Sequence, residues 1–126
     1  MSDEKNTGGQ IAWVDLTVAD ADGVRDFYRD VVGWQPDGCD MGGYEDYNMI
    51  PAGADGPVAG ICHARGGNAD MPAAWMIYIT VPDIEAAAAK VKERGGEIVL
   101  GPKGDKARFC VIKDPAGAVC ALFESK

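Results

Sequence analysis

The sequence predicts an α+β fold made of two β-α-β-β-β modules whose curled mixed sheets surround a cleft. Three observations carry this expectation. Residues 11–18 alternate, with Val14, Leu16 and Val18 on one side and Trp13, Asp15 and Thr17 on the other. A period of two marks a strand with two unlike faces. A helical segment follows, framed by Asp20 and Gly33. The same unit returns in residues 74–97, where Asp83 stands for Asp20 and Gly96 for Gly33, an offset of 63 in a chain of 126 residues.

Each element follows from local chemistry. The opening MSDEKNTGGQ is polar and acidic, so residues 1–10 read as a flexible tail and not as a signal peptide. Asp20 can accept hydrogen bonds from the free amides of a helix, and its charge suits the positive helix end. Val24, Phe27, Tyr28 and Val31 recur at i, i+3, i+4 and i+7 and form one apolar stripe. Arg25, Asp26, Arg29 and Asp30 take the wet side. Gly33 ends the helix in a left-handed turn.

Pro36-Asp37-Gly38 and Gly42-Gly43 then read as turns, and residues 44–50 as a strand. Residues 57–64 form another strand, with Val58, Gly60 and Cys62 opposite Ala59, Ile61 and His63. Module one spans residues 11–64, a glycine-rich linker 65–72 and module two 73–124, all in one domain of residues 11–126. In module two, Asp83 caps a helix whose stripe is Ile84, Ala87, Ala88 and Val91, and Gly95-Gly96 closes it. Strands at 97–100, 106–113 and 118–124 follow. A loop at 101–105 separates the first two, and the turn Asp114-Pro115-Ala116-Gly117 the last two.

Composition narrows the partners. A formal charge of -8 repels nucleic acid phosphates and anionic lipids, so neither nucleic acid nor membrane is an expected partner. No apolar run is long enough to span a bilayer. Cys39, Cys62, Cys110 and Cys120 form no close pair, which fits reduced thiols and a cytoplasmic location. No dinucleotide fingerprint, phosphate loop or nucleophile elbow occurs, and no cofactor is expected.

Val18-Ala19-Asp20, Phe27-Tyr28 and Val32-Gly33-Trp34, set in a duplicated module, resemble the vicinal oxygen chelate superfamily. That superfamily includes glyoxalase I, bleomycin resistance proteins and extradiol dioxygenases. Trp75, Tyr78, Val81-Pro82-Asp83, Gly95-Gly96, Pro102 and Asp114-Pro115-Ala116-Gly117-Ala118 resemble its glyoxalase-like proteins of unassigned function. The resemblance covers residues 11–124 and rests on the order and spacing of these segments together. It implies a homodimer. It also implies where metal-dependent relatives hold a divalent ion, at positions matching Trp13, Val58, Met76 and Ala121. Indole and alanine offer no lone pair, and a thioether prefers soft metals. No metal is therefore expected.

Periodicity nominates the cleft lining. Trp13, Asp15 and Thr17 come from one strand, and Met76, Tyr78 and Thr80 from its counterpart. Val119, Ala121 and Phe123 join from the last strand, and Val58, Gly60 and Cys62 from the end of module one. Among these, Trp13, Asp15, Cys62, Met76, Tyr78 and Phe123 are the candidate ligand-binding residues. Trp13, Trp34, Tyr78 and Phe123 suggest an aromatic box, while Trp75 reads as helix-side core. Asp15 and Tyr78 are the candidate proton-transfer pair, equivalent by the 63-residue offset. His63, the sole histidine, reads as a strand-end residue at the surface or the seam. Three functions compete. The first is a metal-free protein binding a small organic ligand in an aromatic cleft. The second is a metal-independent lyase or isomerase using Asp15 and Tyr78. The third is a structural or interaction protein with plugged clefts.

Overall fold

The computed structural model describes residues 8–125. Its elements run β1 (Ile11–Val18), α1 (Ala21–Val32), β2 (Gln35–Asp40), β3 (Glu45–Ile50), β4 (Ala59–His63), β5 (Trp75–Thr80), α2 (Ile84–Glu93), β6 (Glu97–Lys103), β7 (Ala107–Lys113) and β8 (Val119–Ser125). This is the β-α-β-β-β order twice. Val14–Trp75 form one compact unit, and residues 8–13 with 76–125 form the other.

Both units have the same topology. In the first, the order is β2-β3-β4-β1, with β1 parallel to β4 and the other pairs antiparallel. In the second it is β5-β8-β7-β6, with β5 parallel to β8. The resulting mixed sheet is open, and β2 and β6 are its edges. The expected curled sheets around a cleft are therefore overturned. Closure needs edge strands able to exchange hydrogen bonds. Pro36 in β2 has no N–H to give, and β6 slips register twice, once between Ile98 and Leu100 and once between Leu100 and Lys103 across Gly101-Pro102.

The caps are as the local chemistry predicts. Asp20 Oδ1 accepts from the Gly23 amide at 3.0 Å, and Gly33 closes α1 with φ 81°. Asp83 Oδ1 accepts from the amides of Glu85 and Ala86, both at 3.1 Å. The buried Glu124 of β8 accepts from the Ile84 amide at 3.2 Å, so a second carboxylate serves the start of α2. Gly9 and Gln10 hydrogen-bond to Thr80.

Two turn readings are corrected. Pro36-Asp37-Gly38 lies inside β2, where an edge position tolerates proline. The loop expected at 101–105 begins later, because β6 continues through Gly101-Pro102 to Lys103 with the irregular register. The core of the second unit packs α2 through Ile84, Ala88, Ala87 and Val91 onto Cys110, Ile112 and Leu122. In the first unit, Ala21, Val24 and Tyr28 of α1 join Tyr47, Met49 and Ile61. The rest of the α1 stripe is not buried. Phe27 is 56% exposed and Val31 61%. Among the described residues, no helix is long and apolar enough to cross a membrane.

Candidate functional site

In the Val14–Trp75 unit, register defines the sheet face turned away from α1. Leu16 pairs with Ile61 on the helix side, so Asp15 beside Gly60 and Thr17 beside Cys62 occupy the other side. Asp37 and Asn48 pair across β2 and β3 on that side, as do Cys39 and Asp46. The face is a polar floor. Asp15 and Thr17 are buried in it.

Cys62 is the chemical probe of this floor. Burial pushes its thiol up to about 12, helped by the charges of Asp15 and Asp46 and by a hydrogen bond to Asp46. At neutral pH it is a thiol and not a thiolate, so it is no nucleophile. Cys39 lies two strands away, beyond β3. Two strand spacings are about 9–10 Å, too far for a disulfide. Both cysteines are free.

The end of β4 holds a second polar group that sequence reasoning missed. His63 Nε2 lies 3.4 Å from Asp22 Oδ1 and His63 Nδ1 lies 3.3 Å from Asp46 Oδ1. The His63 amide also donates to Asp46 at 2.8 Å. Tyr47 donates its hydroxyl to Asp22, which raises the phenol above its ordinary range. Tyr44 meets the imidazole edge-on, and Arg65 lies 3.9 Å over the Tyr44 ring. His63 thus fastens the first turn of α1 to β3. The alternation of residues 44–50 could have placed Asp46 with Asn48. Nothing local ties either to Asp22.

Trp34 packs beside the core of its own unit. It stacks on Tyr28 at 5.7 Å, and Trp75 meets both rings edge-on at 5.3 and 6.0 Å. Trp75 Nε1 donates to the Tyr28 hydroxyl at 3.2 Å. Trp75 is 36% exposed, so its assignment to a helix-side core is also corrected.

In the other unit, Tyr78 pairs with Ala121 and Thr80 with Phe123, on the sheet face away from α2. Val111 and Phe109 continue that face across β7. Met76 is buried two residues before Tyr78, and Ala121 and Val111 are buried as well. This face is apolar where the floor of the first unit is polar. Val58, in contrast, is 46% exposed. Among the described residues, no group of three or more His, Cys, Asp or Glu side chains is placed to hold a metal ion.

Residues 10–122 match the family model of the glyoxalase/bleomycin resistance protein/dioxygenase superfamily. The chain is 32% identical over 116 residues to a Mycobacterium tuberculosis protein named "Putative glyoxylase CFP32", covering 90% of this chain and 44% of that one. It is 30% identical over 128 residues to the anthracycline biosynthesis protein DnrV of Streptomyces peucetius, covering 91% and 46%. The chain therefore spans less than half the length of these curated relatives. Among solved structures, hypothetical protein BH1468 of Bacillus halodurans C-125 matches with TM-score 0.62 and 16% identity over 94% of this chain and 95% of that one. A Streptomyces coelicolor methylmalonyl-CoA epimerase matches with TM-score 0.57 and 18% identity over 94% and 99%. These last two similarities establish a shared fold. The chain belongs to the glyoxalase/bleomycin resistance protein/dioxygenase superfamily.

Proposed function

We propose that this member of the superfamily is a small-molecule-binding protein that holds an organic ligand without a metal. The observation that carries the reading is the floor around Asp15. It combines a buried carboxylate, a buried threonine hydroxyl and a neutral thiol on one sheet face. Buried polar groups of this kind fix the orientation of a ligand. Asp15 and Cys62 are the proposed polar contacts. Trp13, Met76, Tyr78 and Phe123 are the apolar and aromatic contacts proposed for the other unit, each unit taken by itself.

The family's divalent ion does not fit this donor set. The positions that the resemblance implies for it hold Trp13, Val58, Met76 and Ala121, and Ala121 is fully buried between Tyr78 and Val111. No metal-dependent step is assigned to them. Self-pairing of the chain, implied by the family resemblance, is the second part of this proposal.

Native mass spectrometry of the protein purified without chelator tests the reading, together with Asp15→Asn. A stoichiometric organic adduct on the native protein, weakened by roughly tenfold or more in Asp15→Asn, is expected. A stoichiometric divalent ion, or an adduct indifferent to Asp15, would overturn it. If the adduct proves to be turned over and Asp15→Asn abolishes turnover with binding intact, the proton-transfer reading replaces it.

A further inference from the structure

The charge of the chain lies in one of its two units. Val14–Trp75 holds eleven Asp and Glu against three Arg and no Lys, which is the whole formal charge of -8, while the other residues hold nine acids and nine bases. The imbalance is sharpest in the sheet of this unit. Its four strands carry Asp15, Asp37, Asp40, Glu45 and Asp46, and neither Lys nor Arg. The three arginines are engaged elsewhere. Arg25 and Arg29 pair with Asp22, Asp26 and Asp30 on α1, and Arg65 lies over the Tyr44 ring. His63, the one other base of the unit, lies between Asp22 and Asp46.

Two members of the polar floor point to what it holds. Asp15 is 9% exposed, and its charge, with that of Asp46, acts on the thiol of Cys62. Thr17, the next residue on the same face, is 8% exposed, and its hydroxyl makes no hydrogen bond to any described residue. Thr17 lies in register with Cys62, on the side away from α1. The floor therefore sets an available hydroxyl beside a buried carboxylate. A carboxylate accepts several hydrogen bonds, and burying its charge costs least beside a cation. The strands of the unit supply none.

A metal ion does not meet this need. Asp37 stands three strands from Asp15 across Asn48 and Gly60, about 14 Å by strand spacing. Among the described residues, no group of three donor side chains is placed to hold an ion. An ammonium group meets it with two contacts. It donates to a carboxylate and to a hydroxyl at once, and its charge strengthens both bonds.

We infer that the floor of the Val14–Trp75 unit takes the ammonium end of a small organic amine, with Asp15 holding the charge and the Thr17 hydroxyl accepting an N–H. This names the ligand class for the site proposed above and rests on that reading. Asp37 lies beyond the Debye length of about 10 Å at 0.1 M salt, so the preference for a cation belongs to Asp15 and not to the acidic surface at large.

Amide chemical-shift titrations of the nitrogen-15-labelled full chain test this at neutral pH and 0.1 M salt. The probes are 2-phenylethylamine, 2-phenylethanol, 3-phenylpropanoate and magnesium chloride. The amine is expected to shift the amides of Asp15, Thr17 and Cys62 and to bind roughly tenfold or more tightly than the alcohol. Asp15→Asn and Thr17→Val are expected to bring the amine close to the alcohol, and Asp37→Asn to change it by less than about twofold. Thr17→Val keeps the charge and preserves the test if Asp15→Asn disturbs the fold. An amine that binds no better than the alcohol or the carboxylate would overturn the inference. So would magnesium shifting the same amides more strongly, or an equal loss in Asp37→Asn, which would mark a diffuse acidic surface. A neutral or anionic adduct in native mass spectrometry that Asp15→Asn weakens would overturn the amine alone and leave the ligand reading standing.

Discussion

The helices α1 and α2 hold equivalent places in two modules of one topology, and they bury themselves differently. Ile84 and Ala88 of α2 are buried, and Ala87 and Val91 pack with them onto β7 and β8. Small residues let this helix settle closely on its strands. Phe27, Tyr28 and Val31 make α1 bulkier, and half of its stripe stays in water. A 3.6-residue period thus predicts that a helix exists and which residues share a face. It does not predict how deep that face goes. Apolar surface in excess of what one sheet can cover is available for another partner.

The largest test of this contrast is stability. Ile84→Ala removes a fully buried side chain and is expected to cost about 2–5 kcal/mol in urea denaturation. Val31→Ala, at the exposed far end of the other stripe, is expected to change monomer stability by less than about 0.5 kcal/mol. Equal losses would break the comparison. The caps give a smaller difference in the same direction. Asp83 serves two amides and Asp20 one. Asp83→Ala should therefore cost more than Asp20→Ala, each on the order of 1 kcal/mol in thermal unfolding. A reversed order would mean that Glu124 satisfies the start of α2 without help.

The smallest effect concerns the thiols. Cys39 is exposed, whereas Cys62 holds its proton up to about 12. Iodoacetamide at mildly alkaline pH should modify Cys39 well before Cys62 while the protein is folded. The linkage sign follows from the same shift. The unfolded thiol ionises near 9 and the folded one near 12, so the folded state binds the extra proton between them. Stability is full below about pH 9 and falls as pH rises toward 12. Cys62→Ala should lessen that loss, and an unchanged alkaline profile would remove Cys62 as its source.

What the sequence made legible was local. Asp20, Gly33 and Asp83 act within a few residues of themselves, and each does what its chemistry dictates. Alternation also put Asp15 and Cys62 on one face, because a period of two survives folding. Longer-range partners could not be read. Trp34 and Trp75 meet over Tyr28, and His63 joins Asp22 to Asp46, through strand register that no linear spacing encodes. Pro36-Asp37-Gly38 reads as a turn from its residues alone. Only its place at the edge of a sheet makes it a strand. The openness of that sheet was likewise invisible in a pattern of strands and helices.

The edge strands also govern how the protein behaves in a crowded solution. A bare edge invites another strand to add on, and repeated addition leads to fibrous aggregates. Here β2 presents Pro36, Asp37 and Asp40, and β6 presents Pro102, Lys103 and a broken register. Neither offers an uninterrupted row of donors and acceptors. Growth by strand addition is disfavoured at both edges, so contact between molecules is left to side-chain surfaces.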